Sequence, residues 1–353
     1  MKDMKSLMTE WREYEKQVLE ELAQFIPGTS ANKMKKAVGK LDQIDQGRAI
    51  LNKKAKDLSK TDVTSLVGFL NSPEGQDPKV RAALGAGDSD GTPGDETIQV
   101  APASPQVGSL SPTQREISLA KSIGFPLSSV ETIQNVATGD PTGKGMKIVS
   151  SGNLVVDGHH RWSSVWSVDP KAKINAVNID LPGGKPLQKL AAAQTAIAAT
   201  IDPGSGALPK ATAGSSDNIL GASGEQIAAM ITKLHSQGFV VKGTGLPLLG
   251  DKYIETVKNM PEGQKYFGVD PSMDTETARK TIINRVAANL GNLPEPQGPA
   301  RDYMPQFDGG ETHDGQVKLG QVIDKMKSGE VNYKAPFEES VKRMVKEILN
   351  EKK

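Results

Sequence analysis

Residues 147–162 read KIVSSGNLVVDGHHRW, and this stretch decides the fold. Lys147–Ser150 and Leu154–Val156 are short β-prone runs, and Ser151-Gly152-Asn153 between them is a tight-turn sequence, so the pair predicts two strands joined by a turn. Past Val156 the chain meets Asp157-Gly158 and then takes on a helical pattern over Arg161–Val168. A strand that passes through a glycine into a helix exposes the first backbone N–H groups of that helix beside the positive end of its dipole, which makes an anion site. Gly158 lets the backbone approach a ligand closely. Arg161 adds a planar fork matched to phosphate oxygens, and His159 and His160 can donate hydrogen bonds or move a proton.

Two of the four histidines and two of the three tryptophans fall within Asp157–Trp166, a concentration that packing alone does not explain. Trp162 and Trp166 lie four residues apart on one helix face and are read as core. A structural alternative makes His159 and His160 a satisfied turn pair with Arg161 salt-bridged to Asp157. A zinc site on the adjacent histidines lacks both the i, i+4 spacing and further ligands.

Working outward, Ile174–Leu181 is a β-branched strand ended by Pro182-Gly183-Gly184, and Pro186–Thr200 is an alanine-rich helix. Ser111-Pro112-Thr113-Gln114 opens a helix-like segment through Ile123. Residues 111–202 therefore predict a compact α+β domain. Upstream, apolar residues at three- and four-residue spacing mark helices over 4–26, 30–60 and 61–70, a helical N-terminal region spanning 1–84. Gly85–Asp95 is nearly all small and polar, and 85–110 is expected to be a flexible linker. Downstream, 203–300 is expected to be helical, with helices over 223–236, 252–259 and 274–290. Residues 301–353 are expected to form an extended segment and a last helix over 337–351.

Charge points to no particular partner: 43 basic against 42 acidic residues leave a net charge of +1, without the basic stripe of a duplex-binding protein. No cysteine is present, which removes disulfides, thiolate metal sites and cysteine nucleophiles. No stretch reaches the roughly 20 apolar residues of a membrane span. The chain is expected to be soluble and cytoplasmic.

The run Asn153–Trp162 resembles the phosphate-binding turn of the ParB/sulfiredoxin superfamily, most closely its DGHHR-containing branches, which include free-serine kinases and many phage-encoded ParB-like proteins. Pro112-Thr113-Gln114-Arg115-Glu116-Ile117 is similar to the PTQxEI opening of the phage-type members. The resemblance covers residues 111–200. It implies that Gln114, Gly158, His159, His160 and Arg161 contact the phosphates of a nucleotide with Mg2+, and that Asp157 positions a hydroxyl or metal. Glu116 would act as general base, with Glu116, Asp157 and His160 forming the catalytic set of a phosphotransferase or hydrolase. The alternatives are a non-catalytic binding or assembly module, such as a phage structural or accessory protein in the host cytoplasm or virion, and a ParB-like nuclease. Sulfiredoxin's cysteine is missing, and no helix-turn-helix module for centromere binding is identifiable in the residues that follow. Nucleic acid is a further option that the charge does not indicate, and protein partners through the terminal helices are another.

Weaker features complete the reading. Gly243–Pro247 is glycine-rich but lacks the Lys-Ser/Thr of a P-loop and is taken as a plain loop. Pro299–Gln306, with an arginine, a tyrosine and two prolines in an extended stretch, is either a docking segment or surface packing. His235 is taken as structural, and His313 as part of a solvated loop.

Overall fold

The computed structural model describes residues 43–44, 46–51, 63–86, 97–139, 147–201, 217–308 and 317–331. The helices expected over 4–26 and 337–351, and most of the one over 30–60, lie outside these; residues 46–51 are helical. In chain order the elements are α1 (Val63–Leu70), α2 (Pro78–Leu84), β1 (Val100–Ala103), β2 (Ser111–Pro112), α3 (Leu119–Ile123), α4 (Glu131–Thr138), β3 (Ile148–Ser151), β4 (Leu154–Asp157) and α5 (His159–Val168). They continue with β5 (Ala176–Ile179), α6 (Pro186–Thr200), α7 (Gly224–Ser236), α8 (Asp251–Lys258), α9 (Thr275–Leu290), β6 (Phe307–Asp308), β7 (Val317–Lys318) and α10 (Leu319–Lys327).

The α+β class expected from the sequence is observed. A five-stranded mixed sheet has the order β1-β5-β3-β4-β2. β3 and β4 form the expected antiparallel hairpin, with a register shift between Val149 and Ser150. β5 runs parallel to β3, and β2 parallel to β4. Every residue of β3 is buried, as are Leu154, Val155 and Val156 of β4. Strands buried at successive positions fit a sheet covered on both faces.

Alternation along the strands sends neighbouring side chains to opposite faces. Ile148, Val155 and Ala176 join a core with Trp162 and Val165 of α5, Ile123 of α3, Ile227 of α7, and Ile282 and Val286 of α9. Val149, Val156 and Ile179 join a second core with Leu190 and Ile197 of α6, Leu66 and Leu70 of α1, Val80 and Leu84 of α2, and Val322 and Met326 of α10. The described helices of the flanking regions thus pack as layers on the α+β unit, because the sheet has two apolar faces and each needs a helical cover.

Two local expectations are corrected. The linker does not extend to residue 110, because Val100–Ala103 pairs antiparallel with β5 along its whole length and Val107 is fully buried in a short 3-10 turn. Residues 111–123 are not one helix: Ser111-Pro112 is a strand, and helix begins only at Leu119, where Ser118 caps it. Helices α6, α7, α8 and α9 fall within a residue of the expected ranges, and Ser223 and Asp274 cap α7 and α9 by accepting from Gln226 N and Thr277 N. Among the described residues no helix is long and apolar enough to cross a membrane.

Candidate functional site

β4 delivers Asp157 to the C-terminal edge of the hairpin, and Gly158 turns the chain into α5 with φ 87° and ψ 27°, a left-handed conformation that favours glycine. No side chain caps α5. Its first intrahelical bond runs from Trp162 N to Gly158 O, so the N–H groups of His159, His160 and Arg161 have no acceptor within the helix. A Cβ on Gly158 would stand 2.9 Å from Nη2 of Arg161 and 3.0 Å from Ile148 Cγ2. The missing side chain therefore lets the guanidinium fold back over the turn. The helix is anchored from below: Trp162 is fully buried and donates from Nε1 to Val107 O at 3.0 Å, while Trp166 donates to Asn289 O at 2.8 Å. The two indoles meet edge to face at 5.3 Å, so both tryptophans are core, as the spacing indicates.

The two histidines are held differently from a pair of exposed donors. Nε2 of His159 accepts from the amides of Thr113 at 3.2 Å and Gln114 at 3.3 Å. Nε2 of His160 accepts from the amide of Ser118 at 3.3 Å. An N–H that donates to Nε2 needs a lone pair there, which assigns both rings as neutral Nδ1–H tautomers. Burial, then the neighbouring His160, holds His159 down to about 3. Burial, then Arg301 and Lys121, holds His160 down to about 3. Both histidines join the turn to the segment 113–118, so the PTQxEI-like stretch and the DGHHR turn, which the sequence pairs only by resemblance, are in direct contact.

A third segment closes the site. Residues 297–299 run beside 112–115, with Gln297 N donating to Pro112 O at 3.0 Å and Arg115 N to Pro299 O at 3.2 Å. A Cβ on Gly298 would overlap the carbonyl of Thr113, so only glycine allows this approach. The chain then turns through a 3-10 helix, Arg301–Tyr303, and Gln194 of α6 secures it by donating to Tyr303 O at 3.0 Å.

A cavity of about 120 Å³ results, lined by Gln114, Asp157, Gly158, His159, His160, Arg161, Arg301 and Gln306. Six of these are residues the sequence proposes as site residues. Glu116 is not among the lining residues; its backbone oxygen accepts from Nε2 of Gln114, and its Oε2 is buried without a hydrogen-bond partner. Arg301 and Gln306 are not among the site residues proposed from the sequence, where Pro299–Gln306 reads as either a docking segment or surface packing. Nothing local in the sequence ties it to the turn more than a hundred residues earlier.

The charged groups around the cavity are mainly basic. Among the described residues Asp157 is the one carboxylate that lines the cavity. Burial raises its pKa, against the opposing influence of Arg161, the Gly158 amide and Arg301. Its contact with Arg161 is loose, at 3.6 Å, and Nε of Arg161 is buried without a partner. Arg301 has no carboxylate within ion-pair distance among the described residues. Two guanidinium groups and the uncapped start of α5 thus lie beside a carboxyl whose pKa is raised by burial. Among the described residues no three His, Asp or Glu side chains converge as a metal site.

Fold and site together define an α+β protein with a mixed sheet and a cationic cavity at a strand–glycine–helix turn. No protein-family model, no curated protein and no solved structure matches the chain.

Proposed function

We propose that this protein binds a phosphoryl group at the turn, as part of a nucleotide or another phosphoester, in the manner that the ParB/sulfiredoxin resemblance implies. The observation that carries this reading is the convergence of Arg161 and Arg301 on the uncapped start of α5 in one small cavity. Backbone N–H groups at a helix start and guanidinium forks are the groups that recognise phosphate oxygens. At about 120 Å³ the cavity is below the roughly 300–1,000 Å³ of pockets that enclose a whole small molecule, so it seats an anionic group while the rest of the ligand lies outside.

The binding reading is better supported than the catalytic one. His160 stays neutral and accepts a backbone hydrogen bond, and Glu116 does not line the cavity. A magnesium ion would find one carboxylate here, Asp157, and would draw its remaining oxygen ligands from the phosphates and water, which suits the way this ion is usually held. Titration calorimetry with inorganic phosphate and with common mononucleotides, in the presence and absence of magnesium, tests the reading. Saturable binding that Arg301→Ala weakens supports it, and no binding to the wild type removes it. Product release in the same samples, abolished by His160→Ala, would move the protein into the phosphotransferase or hydrolase class.

A further inference from the structure

The sequence has no basic stripe, but the fold assembles one beside the cavity. It begins at Arg301 and His160. Ser118, whose amide donates to His160, opens α3, and Lys121 lies one turn further along that helix on the exposed surface. Gly124 and Phe125 follow. A Cβ on Gly124 would stand 3.1 Å from Cγ1 of Val241, and one on Gly243 would overlap the ring of Phe125. The ring tip of Phe125 thus rests on the backbone of Gly243, next to the exposed Lys242. Arg301 and Lys242 both act on Lys121 electrostatically, and Lys121 and Arg301 both act on His160, with Asp217 opposing them at both groups.

Two features of the strip call for a ligand. Neither Lys121 nor Lys242 has a carboxylate within ion-pair distance among the described residues. The nearby Asp217 is engaged through Oδ2 by the hydroxyl of Ser118 and the amide of Ala120. The second feature is apolar. Phe125, Val240 and Leu246, at 43%, 54% and 47% exposure, are the exposed large hydrophobic residues among those described, and all three lie on this pair of loops. The loops are braced and hold the ring in place. Val241 N donates to Leu246 O at 2.9 Å, and the hydroxyls of Ser128 and Thr244 meet at 3.1 Å.

From these contacts we infer that the strip Lys121–Phe125–Lys242 is a track for single-stranded nucleic acid that leads away from the phosphate cavity. This rests on the phosphate reading of the cavity and names its ligand class. A single strand alternates phosphates with flat apolar bases, and the strip alternates cations with an exposed aromatic ring. Lysines neutralise the phosphates, and the ring offers a stacking face. An acidic peptide would match the lysines but would have no use for the exposed ring or for a cavity fitted to a phosphoryl group.

Fluorescence anisotropy with a short 5′-phosphorylated single-stranded oligonucleotide, on the full chain, tests the track. Inorganic phosphate binding measured on the same samples reads the cavity separately. The wild type is expected to bind the oligonucleotide more tightly than a mononucleotide. The double variant K121E/K242E is expected to lose at least tenfold in affinity, with the slope of log affinity against log salt reduced by about 0.7 for each lysine that faces a phosphate. Phe125→Ala is expected to lose roughly fivefold or more, in line with one lost stacking contact. Phe125→Ala keeps wild-type phosphate binding and K121E/K242E keeps saturable phosphate binding, which also shows that both variants are folded. Oligonucleotide affinity unchanged in K121E/K242E overturns the track, as does poly-glutamate that binds as tightly as the oligonucleotide. Lost phosphate binding in the wild type, with the strand still bound and sensitive to K121E/K242E, would overturn the cavity reading and leave the strip standing.

Discussion

The amide N–H of Thr113 donates to Nε2 of His159 across 3.2 Å and forty-six residues of sequence. With the Gln114 amide on the same nitrogen, this bond fixes the start of α5 to the segment after β2 and keeps the ring neutral. His159 is therefore a latch as well as a residue of the cavity wall. The latch has a pH dependence whose sign is fixed. Its folded pKa, about 3, lies below the ordinary value of 6.5, so below pH 6.5 the unfolded chain takes up a proton that the folded one refuses. Stability is fully present above about pH 6.5 and is lost as pH falls towards 3, by about 1.4 kcal/mol per pH unit for each such histidine. His160 acts in the same direction. Asp157, whose folded pKa is raised, opposes them, because its protonated form is favoured in the folded state and its contribution is lost as pH rises through that value. Urea unfolding at about pH 7.5 and 5.5 should show a lower stability at the acid value, by roughly 1–3 kcal/mol. His159→Gln keeps an acceptor for the two amides and removes the titration, so its stability should depend less on pH. An unchanged slope in that variant would refute the assignment.

Gly158→Ala should separate binding from folding. A non-glycine residue at φ 87° costs about 1–2 kcal/mol, and the new methyl group meets Arg161 and Ile148. The buried tryptophan anchor beneath α5 should keep the helix in place. The expected result is a melting temperature a few degrees lower and phosphate affinity reduced by at least tenfold. Phosphate binding equal to the wild type would show that the folded-back position of Arg161 does not matter.

The same logic gives Arg301 a graded test. A hydrogen bond to a charged group contributes about 1.5–3 kcal/mol, so Arg301→Ala should cost roughly tenfold or more in phosphate affinity. Arg301→Lys, which keeps the charge and loses the fork, should recover part of it. Gly298→Ala acts on Arg301 from a distance, since its methyl would overlap the Thr113 carbonyl and push the chain off its path to the cavity. It should lower phosphate affinity in calorimetry although residue 298 does not line the cavity. If Gly298→Ala weakens stability and leaves affinity intact, the segment 299–306 reaches Arg301's position without that close approach.

What the sequence makes legible here follows the range of the interactions. The hairpin, the glycine turn and α5 are set by residues that are neighbours in the chain, so Lys147–Trp162 reads correctly in order. β1 does not, because VAPA, with its proline, carries no strand propensity of its own. Its extended form is fixed by pairing with β5 nearly eighty residues later, at a sheet edge where proline is tolerated. Arg301 is hidden for the same reason. Its place in the cavity depends on Gly298 packing against Thr113, and neither residue announces the other. Even the state of the histidines is tertiary: the sequence offers His159 and His160 as proton carriers, and buried amides from 113–118 make them neutral acceptors.

Asp157 gives the sharpest test of what the cavity is for. If the ligand is an anion held by Arg161, Arg301 and the start of α5, then a carboxylate on the same wall repels it unless it is protonated. Sulfate, whose charge does not change above about pH 3, isolates this effect from titration of the ligand. Wild-type affinity for sulfate should rise as pH falls through the raised pKa of Asp157. Asp157→Asn keeps an acceptor for the Gly158 amide, removes the charge and releases Arg161 from its contact at 3.6 Å. It should bind sulfate and phosphate more tightly than the wild type near neutral pH, and the part of the pH dependence that belongs to Asp157 should disappear. Weaker phosphate binding in Asp157→Asn only when magnesium is present would instead assign the carboxylate to the metal, and with it favour a phosphotransferase or hydrolase over a binding module. Weaker binding of sulfate alone, without any metal, would mean that Asp157 positions Arg161 for the ligand and that its charge is not what limits affinity.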